Sequence, residues 1–186
     1  PDVARMAVEE YGVDIINDVR SSAKTPQKGG AGACSVPVGK MGAVVARLGV
    51  PYILMSDQPA MSDMLLGFAR DVDLLRSQGQ KDIILDPGFG FGKTLEQNYG
   101  VMQDLELLRA LELPVLVGVS RKSMVTRLLH TDADHALNGT TVLHTVALLK
   151  GASILRVHDV REAVECLSIV RSLHSPVVQS SKSLIA

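Results

Sequence analysis

Five short, near-continuous apolar runs, mostly β-branched, constrain the fold of this chain more than any other feature. They are Val13 to Ile16, Pro51 to Met55, Asp82 to Leu85, Pro114 to Val119 and Ser153 to Val157. A strand with water on one face alternates apolar and polar residues. One that is apolar throughout is buried on both faces, as in a parallel sheet. The runs recur about every 31 to 38 residues, the length of one βα unit. Parallel neighbours need a crossover, and helical patterns fill the gaps. The spacing predicts helices over Asp2 to Glu10, Ala43 to Leu48, Asp63 to Ser77, Leu95 to Leu111, Thr140 to Lys150 and Arg161 to Leu173. Within the third, Met64, Leu65, Phe68, Val72 and Leu75 repeat with a helical period; within the fourth, Met102, Leu105, Leu108 and Leu111 do so. Gly151 is expected as the C-cap of the fifth, and Asp159 as the N-cap of the sixth. The expected class is α/β.

Two stretches fall outside this pattern. Arg20 to Gly42 is rich in Gly, Ser, Ala, Lys and Pro and reads as a long loop. Ser175 to Ala186 reads as a polar tail, so residues 1–174 form one expected domain and 175–186 an appendage.

Composition excludes several classes. At 186 residues with 46% apolar and 21% charged residues, the chain is a globular domain with a sizeable core. The longest apolar runs fall far short of the roughly 18 residues that span a bilayer. A net charge of −1, no Trp, three Tyr and three Phe argue against a nucleic-acid binder. Only Cys34 and Cys166 are present, far apart, and no secretory signal is visible. These features suit a reduced, cytoplasmic protein.

In parallel α/β folds, ligands bind at the carboxyl ends of the strands. Those ends carry Asn17-Asp18, Ser56-Asp57, Asp86-Pro87-Gly88, Ser120-Arg121-Lys122-Ser123, and Arg156, His158 and Asp159. Helix capping accounts for Asp57 and Asp159. It does not account for Arg156 or Lys122, because cations are unfavourable at helix N-termini unless an anion is bound there. Arg156 and His158 lie two apart, and strand alternation aims both at one face. Arg156 alone could instead close the sheet by a salt bridge to Asp18, and His158 alone could make a structural hydrogen bond. Lys122 beside them favours an anion site suited to phosphate or pyrophosphate.

Asp86 ends a buried run and precedes Gly88-Phe89-Gly90-Phe91-Gly92-Lys93-Thr94. A buried carboxylate needs hydrogen bonds. A heterocycle presenting an amide N–H and an amino group would supply them; so would the carboxylate's own loop. The segment nearly spells a phosphate-binding loop, but Pro87 stands where that motif needs its first Gly and has no N–H to offer. The dinucleotide fingerprint fails too, with Lys93 in place of its last Gly. The histidines at 130, 135, 144 and 174 lack metal-ligand spacing.

Together these segments resemble the dihydropteroate synthase family of pterin-binding TIM barrels. The resemblance rests on Asp14-Ile-Ile-Asn-Asp-Val19, on Asp82 to Thr94 with Asn98-Tyr99, on Gly118-Val-Ser-Arg-Lys-Ser123 and on Leu155-Arg-Val-His-Asp-Val160, in order across most of Val3 to Leu173. It implies a transferase of folate biosynthesis. The reaction condenses 6-hydroxymethyl-7,8-dihydropterin pyrophosphate with 4-aminobenzoate to give 7,8-dihydropteroate and pyrophosphate. It implies that Asn17, Asp86 and Lys122 bind pterin, that Phe91, Ser120 and Lys122 line the aminobenzoate pocket, and that Arg156 and His158 bind pyrophosphate. Asp86, Lys122, Arg156 and His158 are then the catalytic set. Magnesium is implied as a cofactor, and a homodimer surface on the helices after the last three strands.

The chain departs from the family pattern in identifiable places. The family's Asn-Val-Thr-Pro-Asp-Ser-Phe strand, its Ser-Thr-Arg-Pro loop and its Val-Asp-Thr strand have no counterpart. By the resemblance, the chain is therefore an incomplete TIM (β/α)8 barrel, strands four to eight with their helices. Those segments carry a magnesium-linked Asn, so no metal ligand is expected among the residues present. The usual Met-His-Met is replaced by Leu54-Met-Ser-Asp-Gln-Pro59. Weak or absent turnover by the chain alone is therefore expected. The alternatives are an inactive remnant or pterin-binding fragment, and a methyltetrahydrofolate methyltransferase-type domain.

Overall fold

The computed structural model describes residues 1–19 and 39–173. Five parallel strands alternate with helices: α1 (Asp2–Glu9), β1 (Ile16–Asp18), α2 (Gly39–Leu48), β2 (Tyr52–Met55), α3 (Met61–Ser77), β3 (Ile83–Asp86), α4 (Leu95–Gln103), a 3-10 segment (Leu105–Leu111), β4 (Leu116–Val117), α5 (Ser123–Leu129), α6 (Leu137–Leu149), β5 (Ile154–Leu155) and α7 (Val160–Leu173). β1, β2 and β3 form one sheet in that order, and β4 pairs with β5. A parallel bridge between Leu85 and Val115 joins the two sets. The strands thus follow chain order, without the reversal of a doubly wound sheet.

Register sorts the side chains into two faces. Ile16, Tyr52 and Ile83 lie level, as do Asn17, Ile53 and Ile84. Side chains level in a parallel sheet point the same way and alternate along each strand. Ile16, Tyr52, Leu54, Ile83, Leu85, Val115 and Val117 join the main apolar core with Val45, Met64, Phe68, Leu75 and Leu108 from the helical layer. Asn17, Ile53, Met55, Ile84 and Asp86 therefore share the opposite face. Leu116 pairs with Ile154 and Val117 with Leu155; just beyond the strands Gly118 lies beside Arg156 and Ser120 beside His158.

The structure corrects several expectations. Of the first apolar run only Ile16 is in β1, so the strand starts three residues later than Val13; it ends in Asn17-Asp18 as expected. α2 starts at Gly39, four residues before the expected Ala43, despite two glycines. The inward packing of Met41 and the fully buried Val45 outweighs their weak helix propensity. The rest of the expected loop and the tail lie outside the described residues, as do Cys34 and His174. Leu95 to Leu111 is not one helix: α4 stops at Gln103 and a 3-10 segment follows. Leu105, Leu108 and Leu111 recur every three residues, the period of that tighter helix, so Leu105 and Leu108 are both fully buried. α5 was not expected; its two turns are held by buried Met124 and Val125. α6 begins at Leu137 and Gly151 follows its end with φ +102, as a helix-terminating Gly should.

Candidate active site at the strand ends

Asp86 is 1% exposed at the end of β3. Its Oδ1 accepts from the Gly88 N–H at 2.8 Å, and Arg156 Nη2 lies 2.9 Å from its Oδ2. The loop alternative for Asp86 is thus met at one oxygen, and Arg156, which neither alternative named as its partner, faces the other. The arginine does not reach Asp18, as the salt-bridge alternative had it. Asp18 stands level with Leu85, one residue short of Asp86. Arg156 lies on the shared face next to Gly118. A Cβ there would sit 2.7 Å from Arg156 Nη2 and 3.1 Å from its Cζ, so the missing side chain makes room for the guanidinium. Arg156 Nη1 is buried and has no protein acceptor, which leaves a donor for a ligand.

The glycine-rich loop presses against the end of β2. Gly88 has φ +63, and a Cβ on it would come within 2.2 Å of the Ser56 carbonyl. Only glycine fits this turn. Buried Asn98 on α4 fixes the loop: its Oδ1 accepts from Gly90 N at 2.7 Å, and its Nδ2 donates to Thr94 O at 2.6 Å. Thr94 and Gln97 form a reciprocal capping box that starts α4. The Lys93 ammonium donates to Ser56 O and Gly88 O, both at 3.1 Å. Lys93 and Thr94 therefore serve the loop and the helix, as the failed phosphate-loop match required. Burial pushes the Lys93 ammonium down to about 8, against the pull of Asp57 and Asp86.

Lys122 bridges to this loop from the β4 side. Its Nζ lies 4.6 Å from the centre of the Phe91 ring, donates to Phe89 O, and its stem lies against Gly90. Burial lowers its pKa, Asp86 opposes that, and Arg156 adds to it. Three cations, Arg156, Lys122 and Lys93, thus gather around one buried carboxylate.

The turn that carries Lys122 is cross-linked to the end of β5. The buried Ser120 hydroxyl accepts from His158 N at 3.2 Å and lies 3.1 Å from His158 Nδ1. Arg121, at φ +54, donates from Nε and Nη2 to the two oxygens of Asp159 at 3.0 and 2.7 Å. Its backbone N–H donates to Thr140 Oγ1 at 3.0 Å. Asp159 stands at the N-cap position of α7, where its carbonyl accepts from Ala163 N at 3.1 Å, but its carboxylate is not the cap: both oxygens hold Arg121, and that guanidinium keeps the carboxyl below its ordinary value. Asp57 is not the cap of α3 either, since that helix begins after Ala60 without a side-chain cap; Ser56 Oγ accepts from Gln58 N instead.

The candidate residues therefore assemble unequally. Asp86, Arg156, Lys122 and Phe91 form one cluster, with Ser120 and His158 joined at its β5 edge. Asn17 is exposed on edge strand β1, two strands from Asp86 on the same face. Sequence reasoning did not assign roles to Lys93, Asn98, Arg121 or Gly118. The Thr-x-x-Gln capping box was a readable signal for the loop's end. Nothing in the sequence reveals which carbonyls Lys93 meets.

Among the described residues, no three His, Cys, Asp or Glu side chains gather as a metal site. Asp86, the buried acid of the cluster, faces Arg156 and a backbone N–H. These residues do not by themselves fit a protein-held magnesium ion. No described helix is long and apolar enough to cross a membrane.

Comparison with known proteins fits this geometry. Residues 1–158 match the model of the family described as Pterin binding enzyme. The chain is 34% identical over 178 residues to the dihydropteroate synthase of Escherichia coli (strain K12), covering 92% of this chain and 61% of that protein. Two solved structures share the fold. One is the Thermus thermophilus dihydropteroate synthase in complex with 6HMPPP, at TM-score 0.79 and 32% identity over 93% of this chain and 67% of the other. The other is the Yersinia pestis enzyme with a pterine-sulfa conjugate, at TM-score 0.79 and 34% identity over 94% and 66%. The chain spans about three-fifths of the length of the Escherichia coli relative.

Proposed function

Because the chain belongs to the pterin-binding enzyme family, we propose that its strand-end cluster is the pterin and pyrophosphate part of a dihydropteroate synthase site. The observation that carries this reading is the buried Asp86 carboxylate facing Arg156, with Lys122 beside both. An isolated buried carboxylate is costly, so a site that keeps one must use its charge.

In this account the pterin ring places its amide N–H and amino group on Asp86. Arg156 Nη2 lies 2.9 Å from Oδ2, so a ring seated on both oxygens takes the guanidinium's place. The freed Arg156, with His158, then holds the pyrophosphate. As the bond from the methylene carbon to the pyrophosphate oxygen breaks, the oxygen keeps the electron pair. Positive charge develops on the pterin methylene. Asp86 stabilises that charge, and Arg156 and His158 stabilise the departing anion. The 4-aminobenzoate amine, seated by Phe91, Ser120 and Lys122, forms the new C–N bond and gives up a proton. No enzyme nucleophile is required. The described cysteine, Cys166, is buried on α7.

The finer architecture belongs to the same proposal: the five strands are the fourth to eighth of a (β/α)8 barrel, with the shared face of Asn17, Asp86 and Arg156 turned inward. Exposed Val142 and Leu149 on α6, and Val164, Ile169 and Leu173 on α7, would form the dimer surface. A cytoplasmic location accords with the composition.

The test is release of pyrophosphate from 6-hydroxymethyl-7,8-dihydropterin pyrophosphate by the purified chain, with and without 4-aminobenzoate. Aminobenzoate-dependent release with formation of dihydropteroate supports the transferase. Tight pterin binding without turnover supports the pterin-binding fragment instead.

A further inference from the structure

Lys93 is the cation of this site that the proposed reaction does not use. It follows three alternating glycines, and its ammonium donates to two backbone carbonyls, Ser56 O after β2 and Gly88 O after β3. These carbonyls flank Asp86. Ser56 N–H donates to the Asp86 carbonyl at 2.9 Å, and Gly88 N–H donates to its side chain. The two turns are already in close contact, since no Cβ fits between Gly88 and Ser56 O.

We propose that Lys93 is a positioning residue for Asp86: its ammonium ties the Gly88 turn to the end of β2 and thereby keeps the Gly88 N–H on Asp86 Oδ1, leaving Oδ2 for the ligand. The proposal rests on the pterin reading of the site. A loop that needed only mechanical support could use an uncharged side chain. Here the chain holds a half-buried ammonium against the cost of removing it from water. The charged groups around it are Asp57 beyond β2, Asp86 on β3 and Lys122 across the loop. The first two favour the ammonium and the third opposes it.

The test follows the Gly88 amide resonance of the full chain against pH, and titrates 6-hydroxymethylpterin pyrophosphate calorimetrically into wild type, Lys93→Met and Lys93→Arg. In wild type, the Gly88 amide should titrate with a midpoint near 8, and ligand affinity should fall over the same range. Lys93→Met should bind about tenfold more weakly at pH 7, the size expected for one charged hydrogen-bonding group, and show no transition near pH 8. Lys93→Arg, charged throughout, should recover most of the affinity and also lack the transition. A wild-type Gly88 amide without that midpoint overturns the proposal, whether or not the variants fold. So does wild-type affinity in Lys93→Met, or a retained transition, which would assign it to Lys122. If wild type binds no pterin at any pH, the pterin reading fails, and the Gly88 titration still decides whether Lys93 governs the turn.

Discussion

Arg156 Nη2 stands 2.9 Å from Asp86 Oδ2, so the residue assigned to the pyrophosphate and the residue assigned to the pterin are paired with each other. Asp86 is buried, whereas the Arg156 side chain is 36% exposed. Removing the arginine strands a buried charge with one backbone donor. Arg156→Met should lower unfolding free energy by about 2 kcal/mol, below the roughly 3–5 kcal/mol of a fully buried pair because water reaches the guanidinium. The double variant Asp86→Asn, Arg156→Met should recover at least half of that loss in urea denaturation. Additive losses would show that the pair is not coupled.

Gly118 tests the pyrophosphate end alone. A methyl group there would displace the Arg156 guanidinium. Gly118→Ala should weaken inorganic pyrophosphate binding about tenfold, the loss of one charged hydrogen bond, while the circular dichroism spectrum stays unchanged. Unchanged pyrophosphate affinity would remove Arg156 from that subsite.

The Arg121–Asp159 link holds the turn carrying Ser120 and Lys122. The Asp159 carboxyl is held below its ordinary 3.8 by Arg121. Its stabilising effect is therefore complete above the unfolded value and is lost as pH falls through the lower folded value. Arg121→Ala should cancel this part of the acid-range loss, read as the difference between wild-type and variant stability from pH 5 to pH 2. A constant difference over that range would show that the pair does not act this way.

Lys93 works in the opposite sense. Its folded value, about 8, lies below the ordinary 10.5, so the unfolded chain holds more protons between those values. Folding stability should rise with pH across that window. Wild type should therefore gain stability relative to Lys93→Met between pH 8 and pH 10.5 in chemical denaturation. A gain below pH 8, or none, would contradict the assigned shift.

Much of this fold was legible because burial on both faces leaves a direct trace in composition. Pro51 to Met55 and Ile83 to Leu85 could be read as strands because their residues are apolar on both faces. Asp86 and Arg156 stood out because a charge beside such a run needs a partner. Their pairing was not readable, since it depends on register: Arg156 lies beside Gly118, and nothing local to Arg156 distinguishes Asp18 from Asp86. The break after Gln103 was hidden because a three-residue apolar repeat satisfies a helical pattern over short spans. Lys93 was hidden because backbone carbonyls have no sequence signature.

The central claim is that Asp86 is the anchor of a pterin site. Calorimetric titration of 6-hydroxymethylpterin pyrophosphate into wild type and Asp86→Asn tests it most directly. The account predicts saturable one-to-one binding by wild type and a loss of at least about a hundredfold in the variant, as for removal of a buried charged partner. It also predicts that inorganic pyrophosphate binds the variant at least as well as wild type, because Arg156 is released. Equal pterin affinity in the two proteins, or no binding by folded wild type, would contradict it.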